Sequence, residues 1–223
     1  MENNQNQAKA QELEQKESFF SKNKKVILYA VIAIIVIILG CLLYSNFIAK
    51  PREDKASTTL AKSQQLFDNG DYEKALNGDK ATSDGFLKIA SEYSSTKAGN
   101  LAKYYAGICY ANLGKWKEAV DYLEKYSPAD DQMFGPASRA ALGNAYAHLK
   151  QYDKAVSLLK EAADKADNNS ISPAALIQAG EILESQGKKD EALKCYQQIK
   201  EKYVNSMAYQ TIDKYIERAS MEK

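Results

Sequence analysis

The sequence predicts an all-α protein in two parts: a single N-terminal membrane-spanning helix, then a solenoid of paired helices closed by a C-terminal capping helix. Three observations carry this reading. Val26 to Ala49 hold no charged residue, over the length that a bilayer span requires. A pattern of small, large and turn residues then recurs every 36 to 37 positions, a period that belongs to stacked helical hairpins. The stretch Ser206 to Arg218 sets Met207, Ile212, Tyr215 and Ile216 on one helical face, with Asp213, Lys214, Glu217 and Arg218 on the other, as a capping helix should.

In chain order, residues 1–21 form a short charged tail, 22–49 the span, and 50–223 the repeat domain. The uncharged run reaches ~36 Å as a helix, against a hydrocarbon core of ~30 Å. Fifteen of its residues are Val, Ile, Leu or Phe, each favouring insertion by roughly 0.3 to 0.6 kcal/mol near the bilayer centre, so Ser45 and Asn46 are outweighed. A cleaved signal peptide is the competing reading, but 25 residues precede the run and no small-x-small site follows it cleanly. Ile38-Leu39-Gly40-Cys41 loosely resembles a lipobox that would acylate Cys41; Leu39 and the apolar residues after Cys41 fit it poorly. Lys22, Lys24 and Lys25 before the span balance Lys50, Arg52 and Lys55 after it. Because the first three abut the helix more closely, the tail is expected in the cytoplasm and the repeats outside.

Within the repeat domain, Gly107, Tyr110, Gly114, Trp116 and Ala119 recur as Gly143, Tyr146, Lys150, Tyr152 and Ala155, then as Gly180, Leu183, Gly187, Lys189 and Ala192. Two helices pack closely only where one side chain is small. The glycines supply this on the first helix of each pair and the alanines on the second. Gly114 and Gly187 stand where a helix end needs a left-handed residue, and Lys150, in the same place, predicts a less typical turn. An earlier copy runs through Phe67-Asp68-Asn69-Gly70-Asp71-Tyr72 to Ala75. Its second helix is interrupted by Asn77-Gly78-Asp79 and Ser83-Asp84-Gly85, and resumes at Phe86 to Tyr93.

These residues resemble the tetratricopeptide repeat, most closely in Ala106-Gly107-Ile108-Cys109-Tyr110 and Gly114-Lys115-Trp116-Lys117-Glu118-Ala119. The opening Trp of that signature is replaced by Lys103, Arg139 and Leu176, and its closing Pro is absent from the usual place. The resemblance implies a right-handed α-solenoid of about four repeats over residues 53–204.

Composition argues against catalysis and nucleic-acid binding. Thirty basic residues face 29 acidic ones, so no global field attracts a polyanion. There is one histidine, no phosphate-cradling glycine loop, no nucleophile elbow and no metal-spaced His/Cys cluster. No enzyme activity, cofactor, metal or small-molecule substrate is expected. The carboxylate pairs Asp130-Asp131 and Glu181/Glu184 read as solvated faces, and Cys109 and Cys195 as buried apolar residues.

The order of parts, together with Phe19-Phe20-Ser21-Lys22-Asn23-Lys24-Lys25 beside the span, resembles the YfgM-like family of ancillary Sec translocon subunits. That resemblance implies a bacterial inner-membrane protein with periplasmic repeats, whose partners are translocon subunits, periplasmic chaperones or exported polypeptides. The endings Tyr93-Ser94-Ser95-Thr96 and Tyr203-Val204-Asn205-Ser206 resemble repeats of envelope-assembly proteins. A lipoprotein-type binding module and an envelope-stress regulator are the alternatives.

Function then rests on the groove that first helices line in such arrays. Its positions correspond to Gln64, Tyr104, Ile108, Asn112, Asn144, His148, Glu181 and Ser185. Their mixed polarity and lack of clustered cations suit a peptide or an adaptable protein surface.

Overall fold

A computed structural model of the protein describes residues 2–79, 83–128, 131 and 133–221, with the backbone alone described in 2–21. The chain divides into two compact units, Met1–Arg52 and Glu53–Lys223. All described elements of both are helical apart from an isolated bridge between Asp79 and Ser83.

In the first unit, helix α1 (Glu2–Tyr44) leads into a π-helical turn, Ser45–Ala49. The apolar run is uncovered by protein along its length; Val26 is 67% exposed and Phe47 75%. The helix is long and apolar enough to cross a membrane. The widened turn sits just before Pro51, which has no N–H to donate back along the helix. Lys50 N–H reaches the Ser45 carbonyl, five residues back, and Lys50 Nζ donates to Asn46 Oδ1 at 2.9 Å.

The second unit holds α2 (Lys50–Asp68) from Glu53 onward, α3 (Tyr72–Asn77), α4 (Gly85–Glu92), α5 (Lys97–Asn112), α6 (Trp116–Lys125), α7 (Phe134–His148), α8 (Tyr152–Ala166), α9 (Ile171–Ser185), α10 (Lys189–Lys202) and α11 (Ile212–Ser220). Four turns of one kind join first to second helices. The second N–H beyond each turn apex reaches back five residues: Asp71 to Leu66, Lys115 to Tyr110, Gln151 to Tyr146 and Lys188 to Leu183, each at 2.9 Å. The left-handed position is filled by Gly70, Gly114, Lys150 and Gly187, with φ of 79°, 73°, 60° and 75°. Lys150 was expected to give a less typical turn; the backbone instead keeps the same hydrogen bonds and places a side chain in a conformation that costs non-glycine residues of order 1 kcal/mol.

The hairpins α5–α6, α7–α8 and α9–α10 close on the predicted small residues. A Cβ on Gly107 would stand 2.5 Å from Leu123 Cγ, and one on Gly143 would stand 2.9 Å from Leu159 Cγ; one on Gly180 would overlap the Tyr196 ring. Opposite them, Ala119, Ala155 and Ala192 are fully buried. Such contacts allow short interhelical distances and leave no space for a methyl group.

The caps are specific. Glu53 on α2 accepts from the N–H groups of Lys97 and Ala98 at 2.7 and 2.9 Å, tying the first repeat to the start of α5. Asp131 Oδ1 accepts from Met133 and Phe134 N–H at 2.8 Å, and Asn168 Oδ1 does the same before α9. These satisfy donors that a helix start leaves unpaired. The endings Tyr93 to Thr96 and Tyr203 to Ser206 form equal turns: the Thr96 and Ser206 hydroxyls each donate to the Tyr carbonyl at 2.7 Å and accept from Gly99 and Tyr209 N–H. Their shared sequence is accounted for by this capping. In the first repeat the interruption is real, with α3 and α4 separated by the Asp79–Ser83 bridge and a 2.5 Å hydroxyl contact between Ser63 and Ser83.

Helix α11 packs on α10 through Ile212 and Ala219. It is also held to α9, because Glu184 accepts from Tyr196 Oη at 3.0 Å and from both Nε and Nη2 of Arg218.

Candidate functional site

The first helices share one face, where α5 touches α7 and α7 touches α9. Between the C-terminal halves of α7 and α9 lies a cleft of about 290 Å³ lined by Asn144, His148, Gln178, Glu181, Ile182 and Ser185, with Ala147 at its wall. Four of the eight groove residues read from the sequence, Asn144, His148, Glu181 and Ser185, are thereby brought together. Asn144 and His148 lie one helical turn apart on α7, as do Glu181 and Ser185 on α9, which puts each pair on one face.

The other four lie elsewhere. Gln64 is half-buried on α2. Ile108 is half-buried on α5, and exposed Asn112 donates its side-chain amide to the Ile108 carbonyl at 2.9 Å. Tyr104 belongs to an aromatic cluster, with its ring centroid 5.4 Å from those of Tyr105 and Phe134 and 5.6 Å from that of Tyr126. Burial pushes its phenol up to about 12. It thereby joins α5, α6 and α7, a contact that the linear sequence did not reveal because Phe134 lies 30 residues away.

Two features of the cleft were missed. His148 stacks on Trp116, with ring centroids 3.7 Å apart and planes 2° from parallel. One face of the imidazole is therefore occupied while its edge remains at the cleft. Gln178, three positions before Glu181, could have been found by helical spacing. The carboxylates divide by role: Glu184 is engaged by Tyr196 and Arg218, Asp131 caps α7, and Glu181 is exposed with no ion pair among the described residues. Asp130 lies outside the described residues. Cys109 and Cys195 are buried, and burial pushes the Cys109 thiol up to about 12, which suppresses thiolate chemistry.

A second hollow of about 390 Å³ lies between α6 and α7, lined by Leu123, Glu124, Tyr126, Pro128, Arg139 and Leu142. Arg139 is paired there with Glu161 of α8 at 3.0 Å, and Glu124 accepts from Tyr146 Oη. Its charged groups are largely used in joining neighbouring repeats.

Paired helices on a repeated small-residue seam, with a cleft between successive first helices, define a tetratricopeptide-like repeat domain. The chain belongs to the family described as T7SS, ESX-1 secretion system protein EccA1, N-terminal domain, whose family model matches residues 34–213. This is a different family from the one that the order of tail, span and repeats resembles. No curated protein matches the chain. Among solved structures, the nearly identical TPR-like repeats of a kinesin light chain from Podosopora anserina superpose with a TM-score of 0.58 at 16% identity, over 74% of this chain and 85% of that one. The MamA protein superposes with a TM-score of 0.53, also at 16% identity, over 74% of this chain and 89% of that one. At such identities the likeness is one of fold.

Proposed function

We propose that this protein is a membrane-anchored holder of other proteins, acting beside a protein-export channel. The observation that carries the reading is the α7–α9 cleft, whose side-chain amides, imidazole and carboxylate converge in a chain that also bears a bare apolar helix. Solenoids use such faces to hold extended partners, and an anchor raises the local concentration of anything the cleft recognises at the membrane. The finer reading is an accessory subunit of the Sec translocon in the bacterial inner membrane, with its tail in the cytoplasm and its repeats in the periplasm meeting chaperones or exported polypeptides. Its support is the resemblance in architecture and the juxtamembrane lysines. No catalytic step is assigned, since the cleft's groups suit recognition.

A second reading is favoured by the family match over residues 34–213: the partner apparatus is a secretion system of the ESX kind. Both place the protein at export.

Crosslinking of the intact protein in its native membrane, followed by identification of the adducts, tests the proposal. Sec channel subunits, periplasmic chaperones or exported chains are expected under the first reading, and secretion-system components under the second. Release of the protein from membranes by alkaline carbonate, or adducts that exclude export components, would contradict both.

A further inference from the structure

We infer that the α7–α9 cleft receives a cationic side chain, lysine or arginine, from an extended segment of the partner protein; this rests on the groove reading above. The cleft's charge is the first reason. Glu181 is the one charged residue among the described lining residues, it is exposed, and it makes no ion pair among the described residues. Glu184, on the same helix, is held by Arg218 and Tyr196.

Among the described residues no lysine or arginine lines the cleft, and two lysines of the same repeats are committed. Lys188 pairs with Asp153 at 3.1 Å, and Lys154 lies over the Tyr146 ring, 4.8 Å from its centroid. Neither lines the cleft. A partner carboxylate entering here would face Glu181 with no lysine or arginine among the described lining residues, whereas an ammonium or guanidinium would gain a charge-assisted hydrogen bond.

The remaining walls fit the same guest. The side-chain amides of Asn144 and Gln178 have no hydrogen-bond partner among the described residues, so their oxygens can accept the donors that a carboxylate alone leaves over. Ile182 and Ala147 offer an apolar wall for the methylene stem of Lys or Arg. His148, with one ring face against Trp116, adds ring nitrogens to the cleft's polar lining. About 290 Å³ lies at the small end of ligand pockets, enough for one or two side chains and too small for a folded element.

The test uses the full-length protein in a non-ionic detergent and three labelled, unstructured peptides of Gly, Ser and Leu. They are identical except for three interspersed residues that are all Lys, all Gln or all Glu; an all-Arg peptide serves as a second cationic probe. Binding is read by anisotropy and by the emission of Trp116, the single tryptophan, which stacks on the cleft's His148. The cationic peptides should bind about tenfold or more tightly than the Gln and Glu peptides, and Glu181→Gln should remove about tenfold of that affinity, as loss of an interfacial charge partner does. Glu217→Gln, on the exposed face of α11, should leave it unchanged. Glu181 is exposed, so the variant is expected to fold, and circular dichroism verifies this.

Gln or Glu peptides that bind as tightly, remain sensitive to Asn144→Ala and ignore Glu181→Gln would overturn the cationic inference while leaving the groove reading intact. Absence of binding by the Lys and Arg peptides at millimolar concentration would also overturn it. Partner crosslinks from a probe at Gln178 then decide the groove reading separately, which fails if they are absent.

Discussion

His148 lies flat on Trp116, 3.7 Å between ring centroids, and so joins the last residue of α7, which lines the cleft, to the first residue of α6. The contact links two adjacent repeats and places the lone histidine where a bound partner would touch it. His148→Ala is expected to expose the indole, shift its emission to longer wavelength and cost under about 1.5 kcal/mol of stability, the scale of a ring–ring contact. Fluorescence and thermal melts on one sample check this; unchanged emission would show that the stack is absent in solution.

The small-residue seam gives a ranking. Gly143→Leu forces a side chain against Leu159 Cγ and the Ala155 carbonyl and should destabilise the repeat unit by roughly 1 to 3 kcal/mol or more. Gly114→Ala meets open space but keeps a φ of 73°, and should cost about 1 kcal/mol. Denaturant unfolding of the two variants checks the order, and a reversal would put the helix register in error.

Lys150 holds the left-handed position that glycine fills in the other three turns. Lys150→Gly should therefore stabilise the protein by about 0.5 to 1 kcal/mol, because relief of backbone strain outweighs the added freedom of the unfolded chain. A lower unfolding midpoint for this variant would contradict the turn assignment.

Tyr104 and Tyr146 are both pushed up to about 12, Tyr104 by burial and Tyr146 by its hydrogen bond to Glu124. Raised phenol values mean that the folded state holds protons the unfolded chain releases near pH ~10. Their contribution is complete below that pH and is lost as pH rises toward about 12. Stability measured at pH 8 to 12 should fall over the upper half of this range, and Tyr146→Phe should flatten the fall. A profile equal in the wild type and the variant would remove Tyr146 from the account.

Much of the repeat domain was legible because its determinants are local and periodic. Gly107, Gly143 and Gly180 stand where helices touch, and Ala119, Ala155 and Ala192 answer them, so a period of 36 to 37 residues could be read directly. The interrupted first repeat was legible from Gly78 and Gly85, which both adopt positive φ. What escaped depends on contacts between distant residues. Tyr104 occupies a groove position by register, yet Phe134 and Tyr126 close around it. Lys150 looked like a broken turn because propensity disfavours it, while the hydrogen bonds of the hairpin hold the conformation. The Trp116–His148 stack required knowing how α6 meets α7, which no periodicity encodes.

The central claim is that the α7–α9 cleft holds a partner protein at the membrane. A photo-activated crosslinking residue placed singly at Gln178, in the cleft, and at Ser157, exposed on second helix α8, tests it in the intact protein in cells. The account predicts discrete protein adducts from position 178 that are lost on Asn144→Ala/His148→Ala in a chain of unchanged helicity, and none from position 157. Equal adducts from both positions, or adducts from 178 that survive the double substitution, would contradict it.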